Sequence, residues 1–198
     1  MKRLSFVFLP AALILALIAS YYLWHAGDAG PGQSVTTGTA DIGGPFALID
    51  QDGRVRTDKD FRGRSMLVYF GYATCPDVCP TTLALMSDAM AKLGADGKRV
   101  VPIFITIDPE RDTPKALKAY LHAFGPQFVG LTGSAGAIKK AADAYHVYFK
   151  KQPLTGGGYA MDHSSVIFLM GPDGKFIGYW DDPAIGPDKL AAELRAKI

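Results

Sequence analysis

The chain opens on a stretch with no polar period at all. Leu4 to Trp24 carries no charged residue and follows Lys2 and Arg3. At 1.5 Å rise per residue such a helix spans about 30 Å, the hydrocarbon thickness of a bilayer, whereas a cleavable signal has an apolar core of only about 7–15 residues. The expectation is a transmembrane anchor over residues 1–25, with a cleavable signal peptide as the alternative. Tyr21, Tyr22 and Trp24 stand at its far end, where aromatic rings prefer the membrane interface. No Lys or Arg follows until Arg54. The positive-inside rule therefore keeps residues 1–3 in the cytoplasm and places the rest on the outer, periplasmic side of the cytoplasmic membrane, spanned once. Residues 26–40 are small, polar and turn-forming, the composition of a flexible linker. Residues 41–198 have the size of one ordinary domain.

Within that domain the pattern changes to short apolar runs alternating with helical periods. Pro45 to Asp50 and Arg54 to Thr57, separated by Asp52-Gly53, predict a β-hairpin. Met66 to Phe70 and Arg99 to Ile107 are continuous apolar runs, the pattern of buried parallel strands. Between them Leu83, Met86, Met90 and Leu93 recur at helical spacing, so a helix is expected from Pro80 to Leu93, closed by Gly94, with both methionines in the core rather than binding metal. Thr113 followed by Pro114 predicts an N-cap and a first-turn proline for a helix running to Ala123. A short strand near Phe128 to Leu131 and a helix from Ser134 to Tyr145 follow. Gly156-Gly157-Gly158 reads as a mobile loop that delivers Met161-Asp162-His163-Ser164 to the start of an apolar strand, Val166 to Met170. Gly171 to Gly174 turns that strand into Phe176 to Trp180, and Pro187 begins a last helix to Ile198. This order predicts an α/β fold: a central mixed sheet flanked by helices, thioredoxin-like in outline, behind an N-terminal transmembrane helix.

The chemistry is concentrated in Cys75-Pro76-Asp77-Val78-Cys79-Pro80, which holds the only two cysteines of the chain. The pair lies just past the carboxyl end of a predicted buried strand, the edge where ligands bind in open α/β sheets. A turn from Cys75 to Val78 would bring the thiols together, and Cys79 would flank the next helix with Pro80 as its first residue. A helix amino terminus favours the thiolate, so the pair is suited to redox chemistry or metal binding. The plainer reading is a structural disulfide, but so small a loop removes little chain entropy and would staple the fold weakly. Charge narrows the partners. Lys and Arg number 21 against 19 Asp and Glu, and setting aside Lys2, Arg3 and Asp28 leaves the domain near neutrality, which argues against nucleic acid. The acidic stretch Asp108-Pro109-Glu110-Arg111-Asp112 reads either as a solvated, self-paired turn or as a docking loop beside the cysteines.

Taken together, Gly44-Pro45-Phe46 with Asp50 and Gly53, Tyr69 to Tyr72 leading into Cys75 to Pro80, Asp108 to Thr113, and Asp162-His163-Ser164 resemble the successive signatures of the Sco/SenC family. These are membrane-anchored copper proteins of thioredoxin fold that assist assembly of the binuclear copper site of cytochrome c oxidase subunit II. The resemblance runs from about residue 41 to the end, and only Ala73-Thr74 departs a little from the usual run. It implies that Cys75, Cys79 and His163 bind copper, as Cu(I) and Cu(II), and that cytochrome c oxidase subunit II and a copper-donor protein are partners of a monomer.

The residues agree with that implication. Two thiolates select soft Cu(I), and an added imidazole makes a site that also holds Cu(II). His25 at the membrane edge, His122 on a helix and His146 in a turn read as surface or packing residues. His163 could also be a capping histidine, and Asp162 could hydrogen-bond a ligand ring or point away. The rival function is a membrane-anchored thiol-disulfide oxidoreductase using Cys75 and Cys79 as its redox pair, with a peroxidase as a weaker third possibility. Such an exchanger does not need His163. In the oxidising space outside the membrane the pair is also expected to form a reversible disulfide that cannot bind copper.

Overall fold

The computed structural model describes Ser20 and residues 41–198 except Pro183. Apart from Ser20, the expected anchor and linker lie outside the described residues, and among those described no helix is long and apolar enough to cross a membrane. β1 (Ala47–Asp50) and β2 (Val55–Thr57) form the expected hairpin, closed by Asp50, whose carboxylate accepts the Asp52 and Arg54 N–H groups at 3.0 and 2.9 Å. β3 (Ser65–Gly71) and β4 (Val100–Thr106) are buried at every position and pair in parallel, with Gly71 opposite Thr106. β5 (Val129–Thr132) extends the parallel set beside β4.

β6 (Phe149–Pro153) and β7 (Tyr159–His163) form a separate two-stranded hairpin. β8 (Ile167–Met170) runs antiparallel to β3, and β9 (Phe176–Trp180) pairs with β8 at the edge. The seven-stranded sheet therefore has the order β2-β1-β5-β4-β3-β8-β9, mixed as expected. Among the described residues four α-helices flank it: α1 (Val78–Leu93), α2 (Pro114–Leu121), α3 (Ala135–Ala144) and α4 (Pro187–Arg195). α1 packs on α4, and α2 packs against β5, where Leu121 fills the space above Gly130. Met86 and Met90 are both buried in the core. Thr113 caps α2, its hydroxyl accepting the Ala116 N–H at 3.3 Å.

Two expectations are corrected. α1 begins at Val78 rather than Pro80, so Cys79 sits inside the first helical turn instead of flanking it. Pro80 takes the third helical position at no hydrogen-bonding cost, because the first four N–H groups of a helix lack intrahelical partners anyway. His163 ends β7 instead of opening the apolar strand, and the glycine loop is the tip of the β6–β7 hairpin. Lys150, Lys151 and Asp162 make that hairpin too polar for the interior of the sheet, and Met161 is its one buried residue.

Candidate metal centre

The cysteine loop is fixed by its own backbone and by the loop that follows β4. Cys75 N–H donates to the Tyr72 carbonyl at 3.2 Å, and Asp112 Oδ2 accepts the Ala73 N–H at 2.9 Å. At the start of α1 the Cys79 N–H, free of an intrahelical partner, points to Cys75 Sγ at 3.5 Å. The Cys79 sulfur lies over Gly71, with the Tyr69 hydroxyl at 3.8 Å. Both thiols are free and buried.

His163 reaches this pair because of strand register. β8 starts with Ile167 opposite Tyr69, so the residues just before it lie beyond the carboxyl end of β3 and over the cysteine loop. His163 Nε2 stands 3.5 Å from Cys79 Sγ. Its Nδ1 is 3.0 Å from the Ser164 carbonyl, which can only accept a hydrogen bond. That contact assigns the proton to Nδ1 and leaves the Nε2 lone pair facing the sulfurs, the arrangement a metal-binding imidazole requires. Tyr69 and Tyr72 hold the ring edge-on, at 6.2 and 5.9 Å between centroids. The donor atoms of Cys75, Cys79 and His163 all lie within 4.8 Å of one another, and two sulfurs with one nitrogen suit a soft ion.

Burial sets the protonation states. It pushes the Cys79 thiol up to about 12, outweighing the Tyr72 N–H that favours the thiolate, while the neighbouring Cys75 pushes it further up. The expected thiolate at a helix start is thus overridden in the metal-free protein, because a buried anion costs more than the helix terminus returns. Burial also lowers the pKa of His163, which keeps the imidazole neutral and its lone pair available.

Other sequence candidates fall elsewhere. His122 is exposed, and His146, also exposed, is 3.0 Å through Nε2 from the Asp41 carbonyl. His25 lies outside the described residues. Asp162 turns away from the site to accept from Gln152 Nε2 at 2.6 Å, and the Ser164 carbonyl takes the place beside the imidazole.

The acidic loop is self-paired through Arg111 and Asp108, as expected, and Glu110 is exposed, but its two aspartates are not solvated. Asp108 and Asp112 are each 1% exposed. Asp112 binds Ala73 and, at 2.6 Å, the Thr106 hydroxyl; Asp108 binds Arg111 and, at 2.8 Å, the Tyr159 hydroxyl. Sequence reasoning missed these supports, together with Tyr69, Tyr72 and Tyr159. A polar loop and three ordinary tyrosines give no periodic signal of what they touch.

A family model described as SCO1/SenC matches residues 34–198. Protein SCO1 homolog 2, mitochondrial, of Arabidopsis thaliana is 39% identical over 170 residues, covering 85% of this chain and 61% of its own length. The chain spans about half to three fifths of the length of the curated relatives first matched. Among solved structures, Bradyrhizobium japonicum ScoI with copper bound superposes with TM-score 0.74 at 44% identity, over 79% of this chain and 99% of that one. BsSco, a member of the Sco family of cytochrome c oxidase assembly proteins in which a disulfide switch was identified, superposes with TM-score 0.65 at 27% identity, over 81% and 96%. The central mixed sheet flanked by helices is thus the thioredoxin-like fold of the Sco structures.

Proposed function

The chain belongs to the SCO1/SenC family, and from that premise we propose that it is a copper metallochaperone whose cargo is held by Cys75, Cys79 and His163. The observation that carries this is the convergence of the three donor groups, with the Nε2 lone pair of His163 turned to the sulfurs by the Ser164 carbonyl. Two thiols supply the soft donors that Cu(I) prefers, and the neutral imidazole supplies the nitrogen that lets the same site take Cu(II). Copper in the Bradyrhizobium japonicum relative supports the choice of ion. Delivery to the binuclear site of cytochrome c oxidase subunit II, after loading from a copper-donor protein, is the role that fits such cargo; the naming of BsSco's family as oxidase assembly proteins supports it. We place residues 1–25 as a membrane anchor, 26–40 as a linker and 41–198 as a monomeric copper-binding domain on the periplasmic side.

The test is copper titration of the full-length, detergent-solubilised protein. Reduced protein should take one Cu(I) or one Cu(II) per chain, and protein with a Cys75–Cys79 disulfide should take neither. His163→Ala should keep Cu(I) better than Cu(II), since two thiolates alone hold the softer ion. In cells, a membrane-impermeant thiol reagent should reach Cys75 in intact, reduced spheroplasts. Labelling only after lysis would contradict the orientation.

A second reading has its own support in the closeness of the two thiols, with the Cys79 N–H directed at Cys75 Sγ, since a reversible disulfide needs such a pair. It makes the protein a thiol-disulfide oxidoreductase that reduces partner cysteines. If His163→Ala left Cu(II) binding and oxidase assembly at wild-type levels while Cys75→Ser abolished assembly, this second reading would replace the first.

A further inference from the structure

The hairpin that carries His163 lies outside the seven-stranded sheet, since β6 and β7 pair only with each other. Sheet hydrogen bonds therefore do not set its position relative to the cysteines. The loop after β4 supplies the fastening. Arg111 donates from Nη1 to the Tyr159 carbonyl at 3.0 Å, and its Nε pairs with Asp108. Its guanidinium lies 3.9 Å from the ring centroid of Tyr159 and 5.7 Å from that of Tyr72. The other oxygen of Asp108 accepts the Tyr159 hydroxyl, so both ends of that tyrosine are held. Tyr159 is the first residue of β7 and His163 its last, while Tyr72 belongs to the cysteine loop and meets the imidazole edge-on. Arg111 thus ties the histidine strand to the cysteine loop, beside the direct contact of Tyr72 with His163.

The residue type matters. A planar guanidinium donates in two directions and offers a face to two rings at once, which the single ammonium of lysine cannot do. Asp108 is buried, so its charge depends on Arg111 far more than an exposed pair would. The neighbouring Lys151–Glu110 pair also joins hairpin to loop, at 2.6 Å, but it is solvent-exposed and worth little.

We propose that Arg111, with Asp108 and Tyr159, is a positioning residue for the imidazole arm of the site. By latching the β6–β7 hairpin to the cysteine loop it holds His163 at the sulfurs, and so sets the capacity for Cu(II) while leaving two-thiol Cu(I) binding nearly untouched. This rests on the copper-binding reading above.

The experiment compares full-length wild type with Arg111→Met, Arg111→Lys and Tyr159→Phe. Hydrogen exchange of the reduced, metal-free proteins comes first. Amides of residues 149–163 should exchange faster by about tenfold or more in Arg111→Met, while those of β3 and β4 keep their protection. Direct competition with Cu(I) and Cu(II) chelators comes second. Cu(II) affinity should fall about 10–100-fold, as for other groups that orient a ligand, with Cu(I) affinity changing by less than about threefold. The thiolate-to-Cu(II) absorption should shift as the nitrogen ligand is lost. Arg111→Lys should fail to restore the wild-type spectrum, and Tyr159→Phe should fall between wild type and Arg111→Met.

Unchanged hairpin exchange, or an equal fall in both copper affinities, would overturn the proposal. Should Arg111→Met not fold, Arg111→Lys and Tyr159→Phe decide by the same criteria. If wild type binds no copper, the copper reading fails by itself, and the exchange data still decide whether Arg111 holds the hairpin.

Discussion

Gly71 and Cys79 pack directly against one another in the buried floor of the site: a methyl group on the Gly71 α-carbon would stand 2.9 Å from the Cys79 sulfur and equally close to Cε2 of Phe104. Neither neighbour can step aside, because Cys79 and Phe104 are both fully buried. The sulfur occupies its place because the strand beneath it has no side chain there. Gly71→Ala should therefore cost about 1–3 kcal/mol, the usual penalty for overpacking a tight core, and should weaken copper binding by displacing one donor. Urea denaturation measures the first effect and chelator competition the second. A variant as stable as wild type would show that the sulfur is free to move.

Asp112 also holds the cysteine loop, through one oxygen that accepts from both Ala73 and Thr106. Burial raises its pKa above the ordinary 3.8 in spite of these donors. The folded chain then holds this proton more tightly than the unfolded chain. Its contribution to stability is greatest below 3.8 and is lost as pH rises from there through the raised folded value. Asp112→Asn can keep an oxygen in place and should abolish that loss. Asp112→Ala strands both donors and should destabilise by about 1–3 kcal/mol. Denaturation midpoints followed from about pH 4 to about pH 8 test both, and parallel curves for wild type and Asp112→Asn would refute the assignment.

The two thiols should differ in reactivity before metal binds. Cys79 has no exposed surface and a thiol pushed up to about 12, whereas Cys75, though also buried, keeps 9% of its surface open to solvent. Iodoacetamide attacks thiolates, so reduced, metal-free protein at neutral pH should be alkylated first at Cys75, with Cys79 lagging by at least about tenfold. Copper binding should release a proton from Cys79, seen as a buffer-dependent heat in calorimetry. Equal labelling of the two residues, read by mass spectrometry, would contradict this order.

The sequence by itself determined the elements and the place of the cysteine pair. The all-apolar runs that became β3 and β4, the helical spacing of Leu83, Met86 and Met90, and the Thr113-Pro114 start are local patterns. Each is imposed by the burial period or the backbone chemistry of its own segment, so each is legible without knowing what lies alongside. His163 was legible only through family resemblance. It sits 84 residues from Cys79, and nothing in its own strand announces the encounter.

Tertiary structure alone decided how the site is held and how it is protonated. The parallel register that sets Gly71 opposite Thr106 makes the loops after β3 and β4 leave the sheet side by side, which carries Asp112 to Ala73 and Arg111 to Tyr72. The antiparallel return of β8 onto β3 brings the histidine strand over the same edge. Once there, burial reversed the protonation that the helix start suggested for Cys79. Periodicity records which face of a segment leaves water. Which distant groups meet on that face, and how dry they become, depends on strand register and on the packing of surfaces brought together only when the whole chain folds.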